Sequence, residues 1–232
     1  MKFLVLQHIP IEHPGIFRDF IKRDGIETYT VELDEGDLIP DLKSYDAMIV
    51  MGGPMDTWQE DQYPWLKAEK ESIYEFTCIQ KKPYLGLCLG AQLLGEVIGA
   101  DVRKMEVPEI GALTIDISDH ESIFNNMPNE IRVLQWHSYE VSNLPKEANL
   151  LASSNDCLVQ AFSFNKAFGL QFHVEQTKET VLQWSCVPEY KLALEETLGK
   201  GALEKFEKDI NYNLSDFNKK AEQIYNNFLQ VF

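Results

Sequence analysis

Apolar and polar positions along the chain fall into three successive textures. In the first, strand-length apolar runs alternate with helical stripes. Lys2–Gln7 is a short apolar run, and Pro14–Arg23 carries Ile16, Phe17, Phe20 and Ile21 at helical spacing. Gly25 follows where a C′ glycine closes a helix. Ile26–Leu33 alternates as a second strand. Ala47–Met51 is continuously apolar, as a strand buried on both faces must be. Pro64 opens a helix reaching about Gln80, with proline in its favoured first-turn position. Tyr84–Leu87 reads as the next buried strand and Ala91–Ile98 as the next helix. This rhythm predicts a largely parallel sheet with helices on both faces.

From Ile110 the second texture begins. Ile110–Ile117, Ile131–Gln135, Leu158–Phe164 and Phe168–Val174 are β-rich and joined by loops of Asn, Asp, Ser and Pro. They predict an antiparallel extension feeding back into the sheet. After Thr177 the third texture is helical. Leu203, Phe206, Ile210, Phe217, Ala221, Ile224 and Phe228 recur every three or four residues, with a break expected at Asn211–Ser215 and Ser215 as a cap. No Pro/Gly/Ser-rich linker divides the chain and no internal repeat occurs. Residues 1–232 are therefore expected to form one α/β domain, with a core over about 1–185 and a helical elaboration over about 186–232.

Composition narrows the function classes. The 232 residues suffice to bury a core without disulfides or metal, and neither a metal nor a cofactor is expected. A net charge of −16 argues against nucleic acid or an anionic membrane as the main partner, since both demand a basic face. The apolar stretch in MKFLVLQHIP is too short for a signal peptide, and no run reaches bilayer-spanning length. The four cysteines, Cys78, Cys88, Cys157 and Cys186, are scattered without a C-x-x-C pair. Reduced thiols and a cytoplasmic setting are expected.

One of these thiols stands apart. In Gly86-Leu-Cys88-Leu-Gly90 the sulfur follows a buried strand and precedes a helix. That is the form of a nucleophile elbow, with cysteine in place of serine. Small residues two positions either side let strand and helix approach. The turn puts the sulfur at a helix N-terminus, where dipole and free amides favour thiolate, and leaves the Leu89 N–H for a developing oxyanion. Taken alone, the segment also describes a packed core cysteine at a tight turn.

A thiolate needs a base, and five histidines compete. His13 and His120 sit in polar segments and read as solvated. His8 ends the first strand but has no acid at a useful spacing. His137 ends another strand, with Glu140 nearby in sequence. His173 follows an apolar run, and Glu175 two residues later shares its side of a continued strand. A carboxylate there can fix the tautomer and stabilise the imidazolium. By itself, the pair also describes a strand-end histidine beside a surface acid. Met51-Gly-Gly-Pro-Met55 ends the strand at Ala47–Met51, and its Gly52 and Gly53 let backbone approach a substrate; by itself it is an ordinary turn.

Gly-Gly-Pro, the cysteine elbow and His-x-Glu, in this order and each at a strand end, resemble the class I (triad-type) glutamine amidotransferases. Gly52-Gly-Pro54 with Glu60-Asp-Gln-Tyr-Pro-Trp-Leu66 is similar to their free-standing, GMP-synthase-like members. So are Gly86–Gln92, Gln135-Trp-His137, Leu150–Ser154 and Phe168–Glu175. The resemblance implies a flavodoxin-like three-layer sandwich with a mostly parallel central sheet, an antiparallel β extension and C-terminal helices. It implies Cys88 as nucleophile, His173 as the group that moves its proton, and Glu175 as the residue orienting His173. Gly53 and Leu89 amides would bind the oxyanion, while Gln92, the Ser138 and Tyr139 backbones and Gly52 would hold glutamine. It implies no cofactor, glutamine or a γ-glutamyl compound as substrate, and a synthase chain as partner for the released ammonia. Two departures stand out: Val174 where many members carry proline, and a loose match over Met105–Gly111. The competing readings are a γ-glutamyl peptidase with the same triad and a non-catalytic regulatory subunit.

Overall fold

The structure, a computed structural model, describes residues 1–184 and 187–232. Cys186 and the expected boundary near residue 185 lie outside the described residues.

Among the described residues, nine strands form one sheet. In chain order they are β1 (Lys2–Gln7), β2 (Glu27–Glu32), β3 (Ala47–Val50), β4 (Tyr84–Leu87), β5 (Asp101–Ile117), β6 (Glu130–Ser142), β7 (Asn149–Ser153), β8 (Ala161–Phe164) and β9 (Ala167–Leu170). Their spatial order is β2-β1-β3-β4-β9-β8-β7-β5-β6. The first five pair in parallel, and β8, β7, β5 and β6 continue antiparallel. The order turns back between β1 and β3, which makes their carboxyl ends the switch point where ligands bind in open α/β sheets.

Burial explains which runs became central strands. β3 and β4 are buried at every position, because helices cover both faces. On one face, α1 (Phe17–Arg23) and α6 (Ala202–Phe228) pack Phe17, Ile21, Ile224, Tyr225 and Phe228 against Phe3, Val5 and Ile49. On the other, α2 (Trp65–Tyr74) and α3 (Leu89–Val97) bring Leu66, Ile73, Leu93 and Leu94 against Leu4, Met48 and Val50. Two further helices, α4 (Lys178–Trp184) and α5 (Pro188–Leu198), precede α6. Among the described residues no helix is long and apolar enough to cross a membrane.

The expected α/β sandwich, its antiparallel extension and its C-terminal helices are all present. The differences are local. The helix opened by Pro64 widens into a π-type turn at Glu75–Ile79 before ending. β5 and β6 are longer than their apolar runs, so Ser138 and Tyr139 lie on a strand. β7 escaped notice because Leu150 faces solvent and blurs the alternation.

The expected break at Asn211–Ser215 is absent. α6 runs unbroken from Ala202 to Phe228, and Ser215 caps nothing. Weak helix formers there are overridden by burial of Ile210 and Phe217 on either side of them. Asn213 Nδ2 also donates to the Asp209 carbonyl one turn back at 2.7 Å, so its amide supports the helix.

Phe228 is fully buried, with its ring edge-on to Phe3 at 6.3 Å and to Phe168 at 6.4 Å. Phe228→Ala is expected to lower unfolding stability by about 3–5 kcal/mol in urea titration. Tyr212→Ala, on the exposed side of α6, is expected to change it by no more than about 0.5 kcal/mol.

Candidate functional site

Four neighbouring parallel strands end on the same side of the sheet, contributing His8 after β1, Gly52 and Gly53 after β3, Cys88 after β4 and His173 after β9. Cys88 has φ 50° and ψ −104°, a backbone conformation that a non-glycine residue holds at a cost of about 1–3 kcal/mol. Its N–H donates to Leu170 O at 2.8 Å and its carbonyl accepts from Gln92 N–H at 3.0 Å. The next turn is tied down as well, with Gly90 N–H on Met51 O at 3.1 Å and the buried Tyr84 hydroxyl donating to Gly90 O at 2.7 Å. A Cβ on Gly90 would overlap Val50 O, and one on Gly86 would lie 2.5 Å from Gly90 O. Only glycines allow this strand and helix to close around the sulfur.

His173 lies beside that sulfur. Its backbone pairs with Leu134 of β6 through two hydrogen bonds, N–H to Leu134 O at 2.8 Å and carbonyl from Leu134 N–H at 3.0 Å. Its Nδ1 meets Glu175 Oε1 at 2.6 Å, and the Cys88 side chain is near enough to act on the ring electrostatically. Glu175 is buried too, with Oε2 accepting from Val174 N–H at 2.9 Å and its carbonyl from Ile16 N–H at 2.8 Å. Burial alone would push the imidazole pKa down. The Glu175 charge and the Cys88 contact outweigh burial and raise it well above 6.5. The Trp184 ring stands edge-on to the imidazole, 5.0 Å between centroids.

A pocket of about 190 Å³ opens beside Cys88, lined by Gly53, Gln92, His137, Ser138 and Tyr139 among others. Of the expected site residues, Cys88, Gly53, Gln92, Ser138 and Tyr139 share this cleft, while His173, Glu175, Leu89 and Gly52 stand behind its lining. Gln92 Nε2 donates to Tyr139 O and to Gln171 Oε1, both at 3.2 Å, and Gln171 Nε2 reaches Cys88 Sγ at 3.7 Å. The Gly53 N–H has no acceptor among the described residues. As the first residue of α3, Leu89 has no preceding helical turn to accept its own.

Three residues here went unnoticed in the sequence. Gln171 is one. Glu69 is another: His8 does have an acid, reaching it from α2, with Nε2 3.0 Å from Glu69 Oε1 and both side chains fully buried. The third is Glu109. His137 pairs with it rather than with its sequence neighbour Glu140, which binds Arg103. Glu109 Oε2 meets His137 Nε2 at 3.0 Å and also accepts from Gln160, while Oε1 accepts from Ser154 at 2.6 Å. Cys157, buried beside them, donates to Val159 O, and burial raises its pKa strongly, as for an inert core thiol. His13 and His120 prove half-buried rather than solvated. His13 Nδ1 accepts from Gly15 N–H at 3.0 Å.

A largely parallel sheet whose strand ends carry a cysteine elbow, a histidine and a Gly-Gly loop on one side defines an α/β protein of the cysteine-elbow class. Comparison with known proteins makes that class specific. The chain belongs to the class-I glutamine amidotransferase family, whose model matches residues 16–181. It is 33% identical over 168 residues to a glutamine-hydrolyzing GMP synthase subunit from Sulfolobus acidocaldarius, covering 69% of this chain and 85% of that one. It is 37% identical over 139 residues to the corresponding protein of Saccharolobus solfataricus, covering 59% and 71%. A glutamine amidotransferase from Thermotoga maritima superposes with a TM-score of 0.89 at 27% identity, over 98% of this chain and 97% of that one. Glutamine hydrolysis for ammonia transfer is the activity that membership carries.

Glu109 gives the site a pH signature. Burial opposes its ionisation, but hydrogen bonds from His137, Ser154 and Gln160 outweigh burial and hold its pKa below 4.5. A depressed folded-state pKa adds stability above the unfolded value, and this is lost as pH falls through the folded one. Glu109→Gln is thus expected to be less stable than wild type at pH 7, with the gap narrowing as pH drops below 4.5 in urea titrations.

Proposed function

We propose that Cys88, His173 and Glu175 form a triad that hydrolyses the side-chain amide of glutamine through a cysteinyl thioester. The observation that carries this reading is the buried His173, bonded to Glu175 at 2.6 Å and with its pKa raised by both Glu175 and the Cys88 side chain at the elbow. The thiol proton passes to His173, and the resulting thiolate attacks the amide carbon. The Gly53 and Leu89 N–H groups receive the negative oxygen of the tetrahedral intermediate. As that intermediate collapses, the C–N bond breaks and His173 returns the proton to the nitrogen, which departs as ammonia. Water, deprotonated by the same imidazole, then attacks the thioester and releases glutamate and free thiol.

Substrate placement follows from the pocket. Gln92 spends its amide N–H groups on Tyr139 O and Gln171 Oε1, which leaves Oε1 for the ammonium end of glutamine. Ser138 and Tyr139 add backbone groups along the wall, and Gly52, next to the pocket-lining Gly53, permits close approach. The whole chain, 1–232, is taken as one such domain, acting in the cytoplasm. The ammonia acceptor lies on another chain or substrate. Support for a synthase partner comes from the archaeal relatives, each named as one subunit of a glutamine-hydrolyzing GMP synthase.

Purified chain is expected to release ammonia from glutamine, alone or with an added synthase chain. It should also accumulate a glutamyl adduct on Cys88 by intact mass, and Cys88→Ala should abolish both. Release from γ-glutamyl peptides but not from glutamine would instead favour a γ-glutamyl peptidase. Failure of Cys88 to react with a glutamine-like chloroketone would leave a non-catalytic, regulatory role.

The raised His173 pKa sets the pH profile. A protonated imidazole is needed for ammonia to leave, and Glu175 keeps it protonated to higher pH. Glu175→Gln removes that charge, so kcat is expected to fall on the order of 10²-fold. The alkaline limb of kcat against pH should move to lower pH. An unmoved limb would sever Glu175 from the role proposed for it.

A further inference from the structure

The His8–Glu69 pair sits at the switch point, yet nothing in the proposed reaction uses it. His8 ends β1 and is fully buried. Its Nδ1 donates to Gly52 O at 2.8 Å, while its Nε2 faces Glu69 at 3.0 and 3.2 Å. Glu69 is carried on the apolar stripe of α2, between Leu66 and Ile73 and as buried as they are. The ring also stacks on Trp65, 5.5 Å between centroids. A donor held by a buried carboxylate, an aromatic plane and its own strand has one direction available to it.

That direction matters because of what shares a peptide unit with the Gly52 carbonyl. The unit is planar and trans, so the Gly52 C=O and the Gly53 N–H point in opposite senses. Drawing the carbonyl onto His8 turns the N–H the other way, toward the cleft that Gly53 lines together with Cys88. Only a glycine fits at this close approach of the loop to His8 and Leu89. A Cβ on Gly53 would lie 3.0 Å from His8 Cβ and 3.1 Å from Leu89 Cδ2. Glycine by itself leaves such a peptide free to flip.

We infer that His8 and Glu69 are a positioning pair for the oxyanion peptide, with the His8 Nδ1–H gripping the Gly52 carbonyl and thereby aiming the Gly53 N–H at the oxygen of the carbonyl Cys88 attacks. This rests on the reading of Gly53 as an oxyanion donor. Burial would lower the His8 pKa, but Glu69 and the Gly52 carbonyl raise it above 6.5, so the ring keeps both donors to higher pH than a free imidazole. Glu69, against Nε2, orients the ring and favours its imidazolium form, in which Nδ1 also carries a proton. His8 touches no substrate and no reacting atom.

The test compares His8→Leu, His8→Asn and His8→Gln in the full chain by two rates at Cys88. Glutamine hydrolysis builds an oxyanion. Alkylation by iodoacetamide, which displaces iodide at a saturated carbon, builds none. His8→Leu is expected to lose on the order of 10²-fold in kcat with KM little changed, the scale of a lost oxyanion donor, while Cys88 alkylates at the wild-type rate. His8→Asn places an amide N–H near the Nδ1 position and should recover most of that loss. His8→Gln reaches toward Nε2 and Glu69 and should not. Wild-type kcat in His8→Leu, alkylation falling in step with hydrolysis, or rescue by Gln rather than Asn would each overturn the proposal. If His8→Leu does not fold, the Asn and Gln variants decide it. Crystal structures of these variants read the peptide without substrate: a rotated Gly52–Gly53 peptide in His8→Gln supports the inference, and an unmoved one overturns it. Hydrolysis surviving in Cys88→Ala would instead strike the reaction assigned to the site.

Discussion

Cys88 occupies a backbone conformation that an L-residue holds only when its surroundings leave it no alternative, and the rest of the site is arranged around that constraint. The strain of about 1–3 kcal/mol is local, but the restraints come from three strands and a helix. β9 holds the Cys88 N–H through Leu170, the end of β3 holds Gly90 through Met51, and Tyr84 reaches up from β4 to the Gly90 carbonyl. Because β3, β4 and β9 are neighbours in one parallel sheet, none of these anchors can shift without the others. The sulfur is thereby fixed relative to the Gly52–Gly53 loop and to His173, which leave the same sheet edge.

Three buried histidine–carboxylate pairs surround this edge, and their hydrogen bonds separate their roles. His8 has both ring nitrogens committed, to Gly52 O and Glu69. His137 has both committed as well, to Tyr139 O on one side and to Glu109 and Gln135 on the other. Of the three, His173 alone has a single ring nitrogen committed to an oxygen, that of its carboxylate, while the Cys88 side chain also acts on the ring. An imidazole bonded to oxygens on both sides orients backbone; one with a nitrogen facing a thiol can move a proton. The same residue type thus serves to hold the loop after β3, to hold the wall at Tyr139, and in the proposed reaction to transfer the proton.

What the sequence made legible follows from the range of the interactions involved. β1, β3, β4 and the elbow at Cys88 were readable because strand burial, glycine spacing and helix onset are local signals. His173 and Glu175 were readable because they are two residues apart. Glu69 and Glu109 were not, since their histidines lie 61 and 28 residues away and come together only through packing. Glu69 did leave a trace: an acid at the apolar positions of α2, between Leu66 and Ile73, must find a partner inside the core. The break assigned at Asn211–Ser215 erred the other way. Local propensity there is poor, and the burial of Ile210 and Phe217 that overrides it is a property of the sheet beneath.

The long antiparallel strand β6 connects the two halves of the reacting geometry. At Leu134 it pairs with the backbone of His173; at Gln135 and His137 it enters the buried polar network around Glu109; and at Ser138 and Tyr139 it forms the pocket wall. The register shift between Lys104 and Glu109 on β5 is what places Glu109 opposite His137. An irregularity in a strand pair is usually local, but here it sets which side chain reaches the network and so how firmly the Tyr139 carbonyl is held for Gln92. A strand running from His173 to the pocket wall fixes the distance between the groups that the proposed reaction assigns to proton transfer and to substrate recognition. The antiparallel extension therefore belongs to the active-site geometry as much as the parallel sheet does, even though the sulfur itself stands on the parallel part.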